Sequence, residues 1–200
     1  PDCIRFCKKH IEIEDFYAKC MTISEYPQQL DDKFISALLQ QVPYIVLSID
    51  IEPVETEDAF KEIDSAQMKT DAEKVRFNKK SVENLDFTSS VPQRTQEQDR
   101  IIANIRKEMT ENDQQMFLSL LTVTYFADTL EDLSLETDAL KTTAANYNCR
   151  FTELYFQQER AFNTAMPYGL RRIESVRTML TKSLTALVPV SYTHLTLPTT

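Results

Sequence analysis

Glycine is nearly absent. One residue in 200, Gly169, is a glycine, against an average usage of about 7%. A phosphate-cradling loop needs several, because backbone N–H groups must approach the phosphate with no Cβ in the way. A Walker loop, a dinucleotide fingerprint and a kinase glycine loop are therefore excluded from this chain. Positive charge is also in the minority. Lys and Arg number 22 against 31 Asp and Glu, for a net charge of -9. That balance argues against a general nucleic-acid surface, which is normally basic. Long apolar runs are missing too. Tyr44 to Leu47 is representative, far short of the ~20 residues of a membrane span. Pro1-Asp2-Cys3-Ile4-Arg5 has no apolar stretch of the signal-peptide kind. The chain opens on Pro rather than Met, and the expectation is that it is cut from something longer.

Metal-ligand residues are few: four cysteines and two histidines. Cys3, Cys7 and His10 are spaced C-x3-C-x2-H, with Cys20 further on. Structural zinc usually takes two tight ligand pairs, and a second pair is absent. The reading is reduced cysteines in a cytosolic protein, with Cys149 as a small core residue. Asp50 and Glu52 are two apart on an extended stretch and point the same way. Paired carboxylates can do acid–base work or hold Mg²⁺, but strand-end acids before a helix are more often solvated. No catalytic, cofactor-binding or metal-binding residue is assigned from the sequence.

What is present is regular structure. Pro43 to Pro53, PYIVLSIDIEP, reads as a strand fenced by prolines, central at its start and half-exposed at its end. Before it, Ile11–Glu14 and Tyr17–Ile23 read as extended. Pro27 is taken to start a helix over Gln28–Gln41, with Leu30, Phe34 and Leu38 on one face. Residues 17–52 are thus strand, helix, strand, with the two strands parallel. Residues 114–154 repeat the pattern. Met116–Phe126 is a strand. Asp128 and Thr129 cap a helix carrying Leu130, Leu133, Leu140 and Ala144. Asn146 and Asn148 flank its end, and Cys149–Leu154 is a strand. The expected fold is α+β: two strand-helix-strand units in a ferredoxin-like split βαβ body, spanning 1–53 and 113–166.

Between the halves, residues 54–112 predict a long antiparallel helical hairpin projecting from that body. Thr56, before Glu57 and Asp58, resembles an N-cap, and Thr95-x-x-Gln98 a capping box. Leu85–Arg94 is the turn. The apolar seam is thin: Phe60, Ile63, Met68, Ala72, Val75 and Phe77 on one arm, and Ile101, Ile102, Ile105 and Met109 on the other. Its first arm is acidic, with Glu55, Glu57, Asp58, Glu62 and Asp64 against Lys61. Gln157–Ala165 is a polar helix anchored by Phe162 and Met166. Residues 167–189 predict a basic linker helix with Val176, Leu180, Leu184 and Leu187 on one face. Residues 190–200, VSYTHLTLPTT, carry no charged residue and read as a non-native tail.

Four stretches carry a family resemblance: FYAKCMTISEYP at Phe16–Pro27, PYIVLSIDIEPV at Pro43–Val54, QQMFLSLLTVTYFADTLEDL at Gln114–Leu133, and RRIESVRTMLTKSLTALVP at Arg171–Pro189. In order and spacing they resemble the N-terminal region of conjugative-transfer, or type IV secretion, ATPases of the CagE/TrbE/VirB kind, in the form found in conjugative elements of Gram-positive bacteria. The resemblance implies a parent ATPase whose motor domain, with its ATP and Mg²⁺ site, lies beyond Pro189. It implies that this region is itself non-catalytic and docks the motor on membrane components of a secretion channel and on sister subunits. The setting implied is cytoplasmic, at the inner face of the cell membrane, in a homo-oligomer that energises channel assembly and transfer of DNA or protein. No family catalytic residue maps onto any position here. The negative charge favours protein docking over DNA contact. The alternative is a stand-alone structural adaptor that binds partners through the hairpin.

Overall fold

The computed structural model describes residues 3–27, 30–83 and 92–187 and, of residues 78 and 80–83, the backbone alone. The elements are β1 (Ile4–Phe6), β2 (Ile11–Ile13), β3 (Phe16–Glu25), α1 (Lys33–Gln41), β4 (Ile45–Pro53), α2 (Thr56–Glu83), α3 (Gln93–Glu111), β5 (Met116–Ala127), α4 (Leu130–Asn146), β6 (Arg150–Glu153), α5 (Gln158–Ala165), β7 (Arg177–Leu180) and α6 (Thr181–Thr185). The class is α+β. Two compact units divide the chain: one runs to Ile51 and takes up again at Ser119–Arg177 and from Lys182 on, and the other is Glu52–Leu118 with Thr178–Thr181.

In the first unit the strand order is β6-β3-β5-β4. That is the order of a split βαβ, with the third strand slotted between the first and second. β3 and β5 are antiparallel, Cys20 facing Thr124 and Lys19 facing Tyr125. The Phe126 N–H donates to the Tyr44 carbonyl at 3.0 Å, beside β4. The β1–β2 hairpin extends the same edge of β3 that carries β6. β2 pairs with Phe16–Ala18 and β6 with Met21–Glu25.

Side chains alternate across a strand, and this sorts the layers. Lys19 and Tyr125 point toward α4, where Tyr125 Oη lies 2.5 Å from Thr137 Oγ1. α1 lies beside α4, with the Phe34 and Tyr147 rings 5.6 Å apart. Cys20 and Thr124 point the other way. Ile11, Ile13, Ala18, Cys20 and Leu120 pack there with Leu154, Ala161 and Ile173.

The strand at 43–53 is an edge strand, not one central at its start. Among the described residues it stands at the end of the order, next to β5, and Tyr44 and Val46 are exposed. Its proline fences and its charged alternation suit an edge. β3 and β5, apolar on both faces, are the central strands. α1 starts later than its periodicity suggests. Asp31 sets the start: its carboxylate accepts the Lys33 N–H at 2.8 Å and its carbonyl the Phe34 N–H at 3.0 Å. Pro27 lies before that turn.

The predicted cap of α4 is found. Thr129 Oγ1 accepts the Asp132 N–H at 3.1 Å and donates to its carboxylate at 2.7 Å. Leu130 is exposed, and Thr137 joins Leu133, Leu140 and Ala144 on the buried stripe. Asn148 takes φ +55, the left-handed turn expected there.

The helix expected over 167–189 is not continuous. Arg177–Leu180 is a strand on β5, and a five-residue helix follows. The Thr181 N–H donates to the Gln115 carbonyl at 3.0 Å, and the Gln115 N–H to Thr181 Oγ1 at 3.0 Å. The reason is the partner: the start of β5 offers main-chain groups, and Arg177-Thr178-Met179-Leu180 alternates well enough to use them. The 190–200 tail and most of the expected 85–94 turn fall outside the described residues.

Candidate functional site

α2 and α3 form an antiparallel pair in the second unit. Val54 closes its base, its N–H donating to the Met116 carbonyl at 3.0 Å. Glu57 and Asp58 stand in the first turn of α2, where the helix dipole favours them. Thr56 is not the cap but the first helical residue: the Ala59 N–H donates to the Glu55 carbonyl. The expected capping box at Thr95 is absent as well. α3 begins earlier, at Pro92, whose carbonyl accepts from Thr95 and Gln96. Pro92 is the N-cap, with extended backbone, and Thr95, inside the first turn, is buried.

The seam between the helices changes character along its length. Near the base it is apolar. Ala59, Ile63 and Met116 are buried, with Phe60, Ile102, Ile105 and Met109 packed on them. Further out it is polar. Gln67 Nε2 donates to Asp99 at 2.8 Å, Lys74 Nζ reaches Asp99 at 2.8 Å and Asp71 at 3.3 Å, and Thr70 is buried with its hydroxyl on the Ala66 carbonyl. Arg106 pairs with Asp64 between the two stretches. Lys74 and Gln67 hold the Asp99 carboxyl below its ordinary range. Glu57 and Asp58 raise Lys61.

The apolar residues absent from the outer seam lie on the outside. Met68 is 71% exposed and Val75 53%. They are seven apart on α2 and so share a face. Ile101 is exposed on α3. The single stripe read from the sequence therefore divides. Phe60, Ile63, Ile102, Ile105 and Met109 face the seam, while Met68, Val75 and Ile101 do not. Much of the acidity is matched within the pair of helices. Asp58, Asp64, Asp71 and Asp99 all meet a Lys or Arg.

Asp50 and Glu52 do not form a carboxylate dyad. Asp50 faces Arg171 Nη1 at 3.3 Å, both half-buried, and Glu52 is exposed. The buried charges sit elsewhere. Lys19 Nζ lies 2.9 Å from Glu153, which also binds Lys141. Burial alone would raise the Glu153 carboxyl. The hydrogen bonds from Lys141 and Lys19 overcome it and hold the group at about 2. A lysine between Ala18 and Cys20 in an apolar strand is the sequence signal for this network.

The C-x3-C-x2-H set comes apart. Cys3 is exposed. Cys20 is fully buried with its Sγ 3.3 Å from Thr124 Oγ1. Cys7 and His10 stay together, facing each other across a tight turn with Glu12 beside them. A count of cysteine and histidine alone passes over Glu12.

Among the described residues no helix is long and apolar enough to cross a membrane. The chain matches no protein-family model, and no curated protein matches it.

Proposed function

We propose that this chain is the non-catalytic N-terminal docking region of a conjugative-transfer, type IV secretion-like ATPase, and that the α2–α3 hairpin binds its protein partners. The observation that carries the docking role is the inverted outer hairpin, with a polar, ion-paired seam inside and Met68 and Val75 outside. Apolar side chains on an exposed helix face, rimmed by charge, fit a partner's groove. The ATPase assignment rests on the sequence resemblance. The single glycine agrees with a region that leaves nucleotide chemistry to another domain. The partners proposed are membrane components of the secretion channel and sister subunits, met at the cytoplasmic face of the membrane. The motor's ATP and Mg²⁺ belong to the parent protein.

The test is the gene itself, read across the codon for Pro189. A frame that continues into a glycine-rich loop ending in Lys-Ser or Lys-Thr supports the proposal. A stop codon there overturns the ATPase reading and leaves a stand-alone adaptor. Hydrolysis of ATP by the purified 200-residue chain overturns the non-catalytic role.

A further inference from the structure

We propose that Cys7, His10 and Glu12 form a binding site for a single zinc ion at the β1–β2 turn. The register makes the site. Arg5 pairs with Glu12 and Phe6 with Ile11. The Cys7 N–H donates to the His10 carbonyl at 2.9 Å, which closes the turn around Lys8 and Lys9. Alternation then sends Ile11 and Ile13 into the core and places Arg5, Cys7, His10 and Glu12 on the other face. One donor atom from each of Cys7, His10 and Glu12 lies within 4.8 Å of the others.

The donor set selects the metal. Thiolate, imidazole and carboxylate are all zinc ligands, and three protein ligands with one open position is a common zinc arrangement. Thiolate disfavours Mg²⁺ and Ca²⁺, which take oxygen. Two anionic ligands balance the ion's charge, and the Cys7 proton passes to solvent on binding. The spacing suits the ion too. His10 Nε2 and Glu12 Oε1 are 3.4 Å apart, long for a hydrogen bond but close to the ~3.3 Å edge of a tetrahedron with ~2.0–2.1 Å bonds.

The surroundings hold the ligands in place. Arg5 lies 3.4 Å from the other Glu12 oxygen. The Tyr17 ring meets the His10 ring edge-on at 5.9 Å. The turn is pinned from outside, with the Phe156 N–H donating to the Lys8 carbonyl at 2.9 Å and Lys8 Nζ lying 5.0 Å from the Phe156 ring centre. Second contacts that orient metal ligands in this way matter nearly as much as the ligands.

The experiment is a titration of the reduced 200-residue protein with Co²⁺ alone, then displacement by Zn²⁺. The expected result is one ion per chain, a thiolate-to-cobalt charge-transfer band, and the intense visible bands of four-coordinate cobalt, all abolished by zinc. Cys7→Ser removes the charge-transfer band, His10→Gln and Glu12→Gln weaken binding, and Cys3→Ser changes nothing. Zinc also slows alkylation of Cys7 in the unaltered protein while Cys3 reacts at its usual rate, a readout that needs no variant. A protein that gives no cobalt band, a band that survives in a Cys7→Ser chain with an unchanged circular-dichroism spectrum, or zinc protection that fails at Cys7 overturns the site.

Discussion

The side-chain amide of Gln158 binds both main-chain groups of Cys20. Its Oε1 accepts the Cys20 N–H at 2.8 Å, and its Nε2 donates to the Cys20 carbonyl at 3.0 Å and to the Leu154 carbonyl at 3.0 Å. The reason lies in the sheet. One edge of β3 pairs with β2 up to Ala18 and with β6 from Met21. Cys20 sits in the gap, where no described strand reaches that edge. Gln158 fills that gap as a stretch of backbone would.

Gln158→Met keeps the volume and removes the bonds. It leaves a buried N–H and carbonyl unpaired, for an expected loss of about 2–4 kcal/mol. The check is the urea midpoint followed by far-ultraviolet circular dichroism. A change within about 0.5 kcal/mol, the range of an ordinary surface substitution, would show that water satisfies the gap equally well.

Glu153 gives the fold an acid limit. Its carboxyl is held at about 2 when folded, against 4.5 ordinarily. The folded state therefore binds this proton less readily than the unfolded chain. The stability it contributes is present above about 4.5 and is lost as pH falls toward about 2. Lys19, with its side chain 10% exposed, is the more buried partner. Lys19→Met should cost roughly 3 kcal/mol at neutral pH, since removing one member leaves a half-buried charge less compensated. It should also move the acid-unfolding midpoint upward. Identical acid transitions in the two proteins would mean that Lys141 alone sets the Glu153 carboxyl.

The body of the fold was legible because its signals are local. The β-branched run of β5, the Thr129 cap with Asp132 and the Asn148 turn each announce themselves within a few residues. The sheet position of β4 was not, because edge and centre differ in their neighbours rather than in their own residues. The division of the hairpin stripe was hidden for a similar reason. Met68 and Ile63 look alike as letters, and only the partner helix decides which faces inward. Gln158 left no trace at all. A glutamine at a helix start is unremarkable until the gap it fills is known. The Arg177–Leu180 strand reads as helix because apolar spacing at Val176, Leu180, Leu184 and Leu187 satisfies a helical period, while the strand it pairs with, β5, is far away in sequence.

The thiols should separate sharply in reactivity. Burial pushes Cys20 up to about 12, against a smaller lowering by its Thr124 contact. Burial pushes Cys149 up to about 11. The thiolate is the nucleophile, so both should be nearly inert at neutral pH. Iodoacetamide followed by peptide mass spectrometry is expected to label exposed Cys3 first and to reach Cys20 and Cys149 only in urea. Labelling of Cys20 at the rate of Cys3 in the native protein would show that β3 opens readily at its centre.

Two changes on one helix should have opposite consequences. Ile63 is buried in the apolar base of the hairpin, 5% exposed. Ile63→Ala should cost about 2–4 kcal/mol through lost contacts and a residual cavity. Met68 and Val75 lie outside the seam, so replacing both with Gln removes no interior contact. The melting temperature should stay where it was. If the chain is the proposed docking region and the hairpin its docking element, the double variant placed in the full-length gene should nonetheless lower transfer between cells while protein levels hold. Unchanged transfer with both glutamines present would remove the outer face from the docking surface. A fall in melting temperature as large as that of Ile63→Ala would show instead that Met68 and Val75 are packed, and that the polar seam is not what holds the outer hairpin together.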